Sequence, residues 1–216
     1  MEPLALYVSV PIAAFRAPYA REYLETLPCP PPATVYGMLL SLVGEDNRRA
    51  HVGAEVALAL LSKPALSTVL RTSWRLKTGG PPGVGSNKRP DYQELLTDVR
   101  LAIWVRSGSG EAAPRSLVDR VRAVVDREEV TNRYGALALG ESTHLVDEVR
   151  RLRPTDGERG RALVRDERGD LALPVWVDHV GSSGTRWSQF RLEESDLRGV
   201  VPMDAWTAVL PREASP

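Results

Sequence analysis

Residues 67–105 read STVLRTSWRLK, then TGGPPGVGSN, then KRPDYQELLTDVRLAIWV. The first piece alternates and is rich in β-branched residues. It predicts a strand over 67–77, with Val69, Arg71, Ser73 and Arg75 on one face. The second piece holds four glycines and two prolines in ten residues. That composition suits neither a helix nor a strand interior and predicts a loop over 78–87. Lys88-Arg89-Pro90-Asp91-Tyr92 closes the loop, and strand character resumes over 95–105. Two strands around a long Gly/Pro loop read as a hairpin with basic side chains on both sides of its tip.

Working outward, residues 55–61 (EVALALL) alternate and read as a strand. Before them, residues 35–43 (VYGMLLSLV) read as a helix with Thr34 as N-cap and Gly44 as stop. The prolines at 28, 30, 31 and 32 lead into that helix as extended chain. Residues 4–10 (LALYVSV) read as a strand buried on both faces, and residues 14–29 as irregular. On the other side of the hairpin, Leu117, Val118, Val121, Val124 and Val125 recur at helical spacing, predicting an amphipathic helix over 114–128. Short strands are expected over 136–139 and 144–149. Residues 150–170 read as a polar linker, and short strands follow over 171–180, 187–192 and 200–203. The order is the α+β, ferredoxin-like β-α-β-β-α-β plan shared with RNA recognition motifs. The expected division is a domain over 1–150, with a long thumb loop over 76–93, and a small β-rich appendage over 151–216.

Composition narrows the function classes. The chain has 216 residues, 28 basic and 28 acidic, with 43% hydrophobic side chains. That is globular composition, and a uniformly basic polyanion binder is excluded. The neutrality is uneven. Residues 71–106 hold seven basic and three acidic side chains, whereas the blocks on either side are net acidic. Lysine occurs only at 63, 77 and 88, against 25 arginines. Arginine favours bidentate phosphate contact, although a GC-rich coding sequence gives the same bias. Cys29 alone forms no internal disulfide. No signal peptide and no membrane-length apolar run is evident, so a cytoplasmic protein is expected.

Several chemistries lack their motifs. The segment from Gly80 to Lys88 lacks the ending of a Walker loop, and no Gly-x-Ser-x-Gly elbow occurs. His51, His144, His179 and Cys29 have no zinc spacing, so no metal or cofactor is expected. His144, near Glu141 and Ser142, reads as a structural histidine. What remains is the basic hairpin: Arg71, Arg75, Lys77, Lys88 and Arg89, with Trp74 and Tyr92 among them. Cations for phosphates and rings for bases are what a single RNA strand requires, and Asn87 adds a donor for a base edge or 2′-hydroxyl. The competing reading is a solvated loop. A second cluster, Phe15, Arg16, Tyr19, Arg21 and Tyr23, reads equally as RNA contact or loop packing. Trp104 and Trp176 sit in apolar runs and read as core.

Taken together, these stretches resemble the CRISPR-associated Cas-five family. The resemblance rests on Val8–Pro11, Phe15-Arg16 and the run Pro30-Pro31-Pro32-Ala33-Thr34-Val35-Tyr36-Gly37-Met38-Leu39. It continues in Leu70-Arg71-Thr72, in Asn87-Lys88-Arg89-Pro90-Asp91-Tyr92 and in Leu139-Gly140-Glu141-Ser142. These fall in order over residues 4–150, and the subtype looks closest to a type I-B-like branch.

The resemblance implies a RAMP-superfamily subunit of a type I surveillance complex, Cascade, in antiviral defence or RNA-guided targeting. Such a subunit caps the 5′ handle of crRNA and meets the backbone and large subunits, reaching target DNA only through the complex. Phe15, Arg16, Tyr36, Arg71 and Lys88 would line the handle site, and Gly79–Asn87 would be the thumb tip. One branch of the family cuts precursor crRNA without metal, using Tyr, Lys and His. Here Tyr36 and Lys88 are present, but Arg89 follows Lys88 where that branch needs its histidine. Arg stays charged and carries protons poorly. A non-catalytic role is therefore expected, with metal-independent endoribonuclease as the alternative. The segment Gly181-Ser182-Ser183-Gly184 is too short for the glycine-rich loop of the related RNA-processing family.

Overall fold

The computed structural model describes residues 2–74, 79–133, 135–180, 183–198 and 201–212. Ten strands and two helices occur among them: β1 (Leu4–Ala13), β2 (Tyr23–Leu24), α1 (Pro32–Leu42), β3 (Glu55–Leu60), β4 (Ala65–Trp74), β5 (Lys88–Arg106), α2 (Leu117–Val125), β6 (Glu148–Arg151), β7 (Arg159–Arg165), β8 (Leu171–Trp176), β9 (Arg186–Asp196) and β10 (Thr207–Ala208). The main path of the sheet runs β6-β1-β5-β3-β7-β9-β8, antiparallel at every step. No described helix is long and apolar enough to cross a membrane.

Register explains the core. Ile103 faces Leu6 on one side and Leu58 on the other, and Leu101 faces Val8 and Leu60 in the same way. All six are buried on the face that α1 and α2 cover. The opposite face carries Ala57, Ala59, Ala102 and Ala162, whose small side chains let Trp104, Trp206, Leu197 and Val201 pack across them. Leu163, Leu173, Val175, Trp176 and Phe190 join the same core as α1, so the strands after residue 158 pack with the helices.

β5 is longer than the sheet that holds it. Its second half pairs with β1 and β3, and its first half runs out beyond the sheet with β4. Asp98 marks the change, with φ of 58°, a left-handed backbone that kinks the strand. Ser62 spans the gap: its hydroxyl donates to the Asp98 carbonyl at 2.5 Å and accepts from the Arg100 N–H at 3.0 Å.

The structure corrects several sequence expectations. α1 begins at Pro32, not after Thr34, because proline at N1 has no N–H to satisfy and its fixed φ suits a first turn. β1 passes through Pro11 and buries one face strongly while the other is half exposed. β5 begins at Lys88 in spite of Pro90, which lies in the overhanging edge where a missing N–H costs little. α2 is shorter than 114–128, capped by Ser116, whose hydroxyl accepts from the Asp119 N–H. The expected linker over 150–170 contains β7, whose Ala162-Leu163-Val164 core is flanked by arginines that hid it. Residues Met203–Ala205 form a 3-10 turn in place of part of the strand expected over 200–203. Val200 of that span lies outside the described residues.

Candidate nucleic-acid interface

Period-two geometry sorts the hairpin side chains onto two faces. Arg71, Ser73, Arg89, Asp91 and Gln93 share one face, and Leu70, Thr72, Trp74, Lys88, Pro90 and Tyr92 share the other. The sequence candidates are thus divided. Arg71 and Arg89 lie on the first face, Lys88 and Tyr92 on the second. Arg75 and Lys77 lie outside the described residues.

The first face is built against two loops. Residues 14–27 form a narrow turnback: the Leu27 N–H donates to the Phe15 carbonyl at 2.7 Å and the Ala17 N–H to the Glu25 carbonyl at 2.9 Å. Thr26 anchors it, its hydroxyl accepting from the Phe15 N–H and its own N–H donating to Glu94. β2 then pairs in parallel with Tyr92 and Gln93 of β5. This pairing brings the two basic and aromatic clusters of the sequence together. An open cleft of about 700 Å³ results, lined by Arg16, Arg21, Arg89, Ser73, Glu22 and Asp91 among others. Arg89 Nε lies 2.5 Å from Asp91 Oδ1, and Arg89 Nη2 lies 3.6 Å from Glu22 Oε1. Arg16 and Arg21 are exposed at its rim.

The second loop is the Leu-Gly-Glu-Ser turn. Gly140 has φ of +102°, and a Cβ there would sit 2.6 Å from the Ala14 carbonyl oxygen. Only glycine fits this approach. His144 fixes the turn from below: its Nδ1 accepts from the Ala14 N–H at 3.1 Å and the Glu141 N–H at 3.2 Å. Nδ1 is therefore unprotonated, and burial lowers the histidine pKa below its usual range. The turn delivers Glu141 to β4 and β5. Gln93 Nε2 donates to Glu141 Oε1 at 3.0 Å, Arg71 Nη1 lies 3.6 Å from Glu141 Oε2, and Arg71 donates to Gln93 Oε1. Arg71 remains half exposed.

The second face is open. Trp74 is 70% exposed and Tyr92 52%, and the Tyr92 ring stacks on Tyr23 with centroids 6.2 Å apart. The loop folds back so that a Cβ on Gly83 would meet the Trp74 indole at 2.9 Å.

Three candidates lie elsewhere. Tyr36 is fully buried, its hydroxyl donates to the Arg48 carbonyl at 2.8 Å, and its ring lies 6.3 Å from that of Trp176. Burial pushes its pKa up to about 12. Phe15 is buried at the foot of the turnback. Asn87 is buried as well, its Nδ2 donating to the Gly80 and Pro81 carbonyls at 2.9 and 3.2 Å, so it ties the loop together. Sequence reading passed over Gln93 and Trp187. Their neighbours in sequence are polar or charged, as Glu94 is beside Gln93 and Arg186 and Ser188 are beside Trp187, so nothing local marked them, and sequence does not say what a side chain meets across the sheet.

No protein-family model matches the chain. A chain from a structure described as a CRISPR RNA-guided surveillance complex shares its fold, with a TM-score of 0.58 at 15% identity, covering 90% of each chain. A crystal structure of a Cas protein gives a TM-score of 0.52 at 13% identity, covering 91% of this chain and 95% of that one. The CRISPR-associated protein Cas5 of Myxococcus xanthus (strain DK1622) is 48% identical over 196 residues, 88% of this chain and 90% of that protein. Identity of that extent over nearly the whole chain places this protein in the Cas5 family of CRISPR-associated proteins.

Proposed function

We propose that the protein is a non-catalytic subunit of a type I CRISPR surveillance complex that holds the 5′ handle of crRNA in the cleft lined by Arg16, Arg21 and Arg89. The observation that carries this reading is the cleft itself, where three guanidinium groups from two distant sequence segments meet over an open groove. Guanidinium groups bind phosphate bidentately, and an open groove admits a single strand. We read β1, α1, β3, β5, α2 and β6 as the ferredoxin-like unit of residues 1–150, with the overhanging hairpin as its thumb. The hairpin's other face, with Leu70, Trp74 and Tyr92 open to solvent, is the surface offered to a neighbouring protein subunit, the backbone subunit first.

Metal-independent cleavage draws no support from the site. Tyr36, the tyrosine that the family resemblance nominates, is buried with its hydroxyl committed to a carbonyl, and Lys88 stands on the open face of the hairpin.

Fluorescence anisotropy with a repeat-derived RNA tests the reading. Wild-type affinity should fall steeply with salt, because phosphate contacts release counterions. Arg16→Ala with Arg89→Ala should weaken binding at least tenfold and reduce the salt slope by about 0.7 per lost phosphate contact. Unchanged affinity in that double variant, or site-specific cleavage of the RNA in chelator, would overturn it.

A further inference from the structure

A second cleft, of about 560 Å³, opens on the other side of Arg16. Its walls come from parts of the chain that the first cleft does not use: Pro31 and Thr34 of the α1 entry, Glu141 of the glycine turn, and Pro174 and Trp187 of β8 and β9. Proline and indole rings give flat apolar surfaces at a scale that suits one planar heterocycle, and few polar groups interrupt them. Trp187 is 44% exposed, so its ring is accessible for stacking.

The polar group that matters is Glu141. Gln93 and Arg71 hold its carboxylate in place, as described above. A carboxylate offers about four lone-pair positions, so those two neighbours leave acceptor capacity on a residue that lines the cleft. A fixed carboxylate pairs best with two adjacent N–H donors. Among RNA bases only guanine presents a ring N–H beside an amino group on its Watson–Crick edge. Uracil flanks its single N–H with carbonyls, and adenine and cytosine place their amino group beside an acceptor nitrogen.

The shared Arg16 links the two clefts: it lines both, so a phosphate held there connects a nucleotide in the first to the next base in the second. We propose that the Trp187–Glu141 cleft is a nucleobase subsite that takes one extruded guanine from the strand held by the arginine cleft. The β8–β9 strands would thereby supply base selection, while the hairpin face supplies backbone affinity. The inference rests on the RNA-binding reading above.

The test is a guanosine walked one position at a time along a short 3′-labelled oligouridine, read by anisotropy. Wild-type protein should bind one member roughly tenfold tighter than the all-uridine strand. Inosine at that position, which lacks the amino group, should lose most of the gain. Trp187→Ala should flatten the walk, with its circular dichroism and melting curve confirming the fold. Arg21→Ala should weaken every member in parallel and keep the preference. A flat walk with RNA still bound, or a preference that survives inosine, would overturn the subsite and leave the arginine cleft standing. Failure of wild-type protein to bind any of these strands would bring down both.

Discussion

His144 works by staying neutral. Two backbone N–H groups, from Ala14 and Glu141, donate to its Nδ1, and a proton there would break both bonds. Burial holds its pKa below the ordinary 6.5, while the unfolded chain takes up a proton near that value. Between the two values the unfolded state binds more protons, so stability rises with pH in that window. It is complete above about pH 6.5 and declines as pH falls toward the native value. Thermal melts of wild type at pH 7.5 and 5.5 should show this loss. His144→Asn, whose side-chain oxygen accepts the same bonds without titrating, should melt with a flatter pH dependence; an unchanged slope would assign the effect to other groups. Cys29 gives a second residue-level prediction. It is fully buried, and burial pushes its thiol up to about 12. A thiol both covered and protonated should not react with an aromatic disulfide reagent at pH 8 until denaturant is added. Rapid reaction of the native protein would contradict the packing around α1.

At the scale of elements, two glycines have opposite roles. Gly37 lies inside α1, and a Cβ there would meet nothing within 4 Å. Gly37→Ala should therefore stabilise the helix by about 0.5–1 kcal/mol through lost backbone entropy in the unfolded chain. Gly140 has the contrary geometry, a left-handed φ and a carbonyl 2.6 Å from the would-be Cβ. Gly140→Ala should cost about 1–3 kcal/mol and displace Glu141 from Arg71. Denaturant melts of the pair check both signs. The same scale shows what the sequence could reveal. Strand β3 was legible from its alternation, and the body of β5 from its apolar, β-rich run over 99–105. The start of α1 was missed because a run of prolines reads as a break when a proline at the first helical position is in fact a start. β7 was missed because three arginines surround a short apolar centre, and charge then outweighs alternation. At the site, the hairpin was legible from its Gly/Pro loop, but the partition of its cations onto two faces depends on register, which the sequence left open.

For the whole molecule, the question is how residues beyond β6 relate to those before it. Contact between Tyr36 of α1 and Trp176 of β8 lies inside one continuous core with Leu163, Leu173 and Phe190. β7 pairs with β3, and β10 pairs with the other end of β3, Thr207 facing Val56. A chain ended after residue 151 would keep β1, β3, β5 and β6 but expose the β3 edge and uncover Leu58 and the alanine face. An exposed apolar strand edge is a template for aggregation. Each large core side chain left without neighbours forfeits about 1.5–3 kcal/mol of burial, against a total stability of about 5–15 kcal/mol. The truncated chain should therefore fail to give a cooperative melt and should aggregate, while the full chain should unfold in one transition when followed by both far-ultraviolet circular dichroism and tryptophan fluorescence. Trp176, Trp187 and Trp206 lie beyond the cut and Trp74 and Trp104 before it, so fluorescence reports on both portions. Two separated transitions, or a soluble and cooperatively folded fragment, would mean that the later strands are an independent unit docked on a self-sufficient first one. One transition would mean that the C-terminal strands complete the first domain's core, and that any base selection by Trp187 is built on the same rigid body as the arginine cleft.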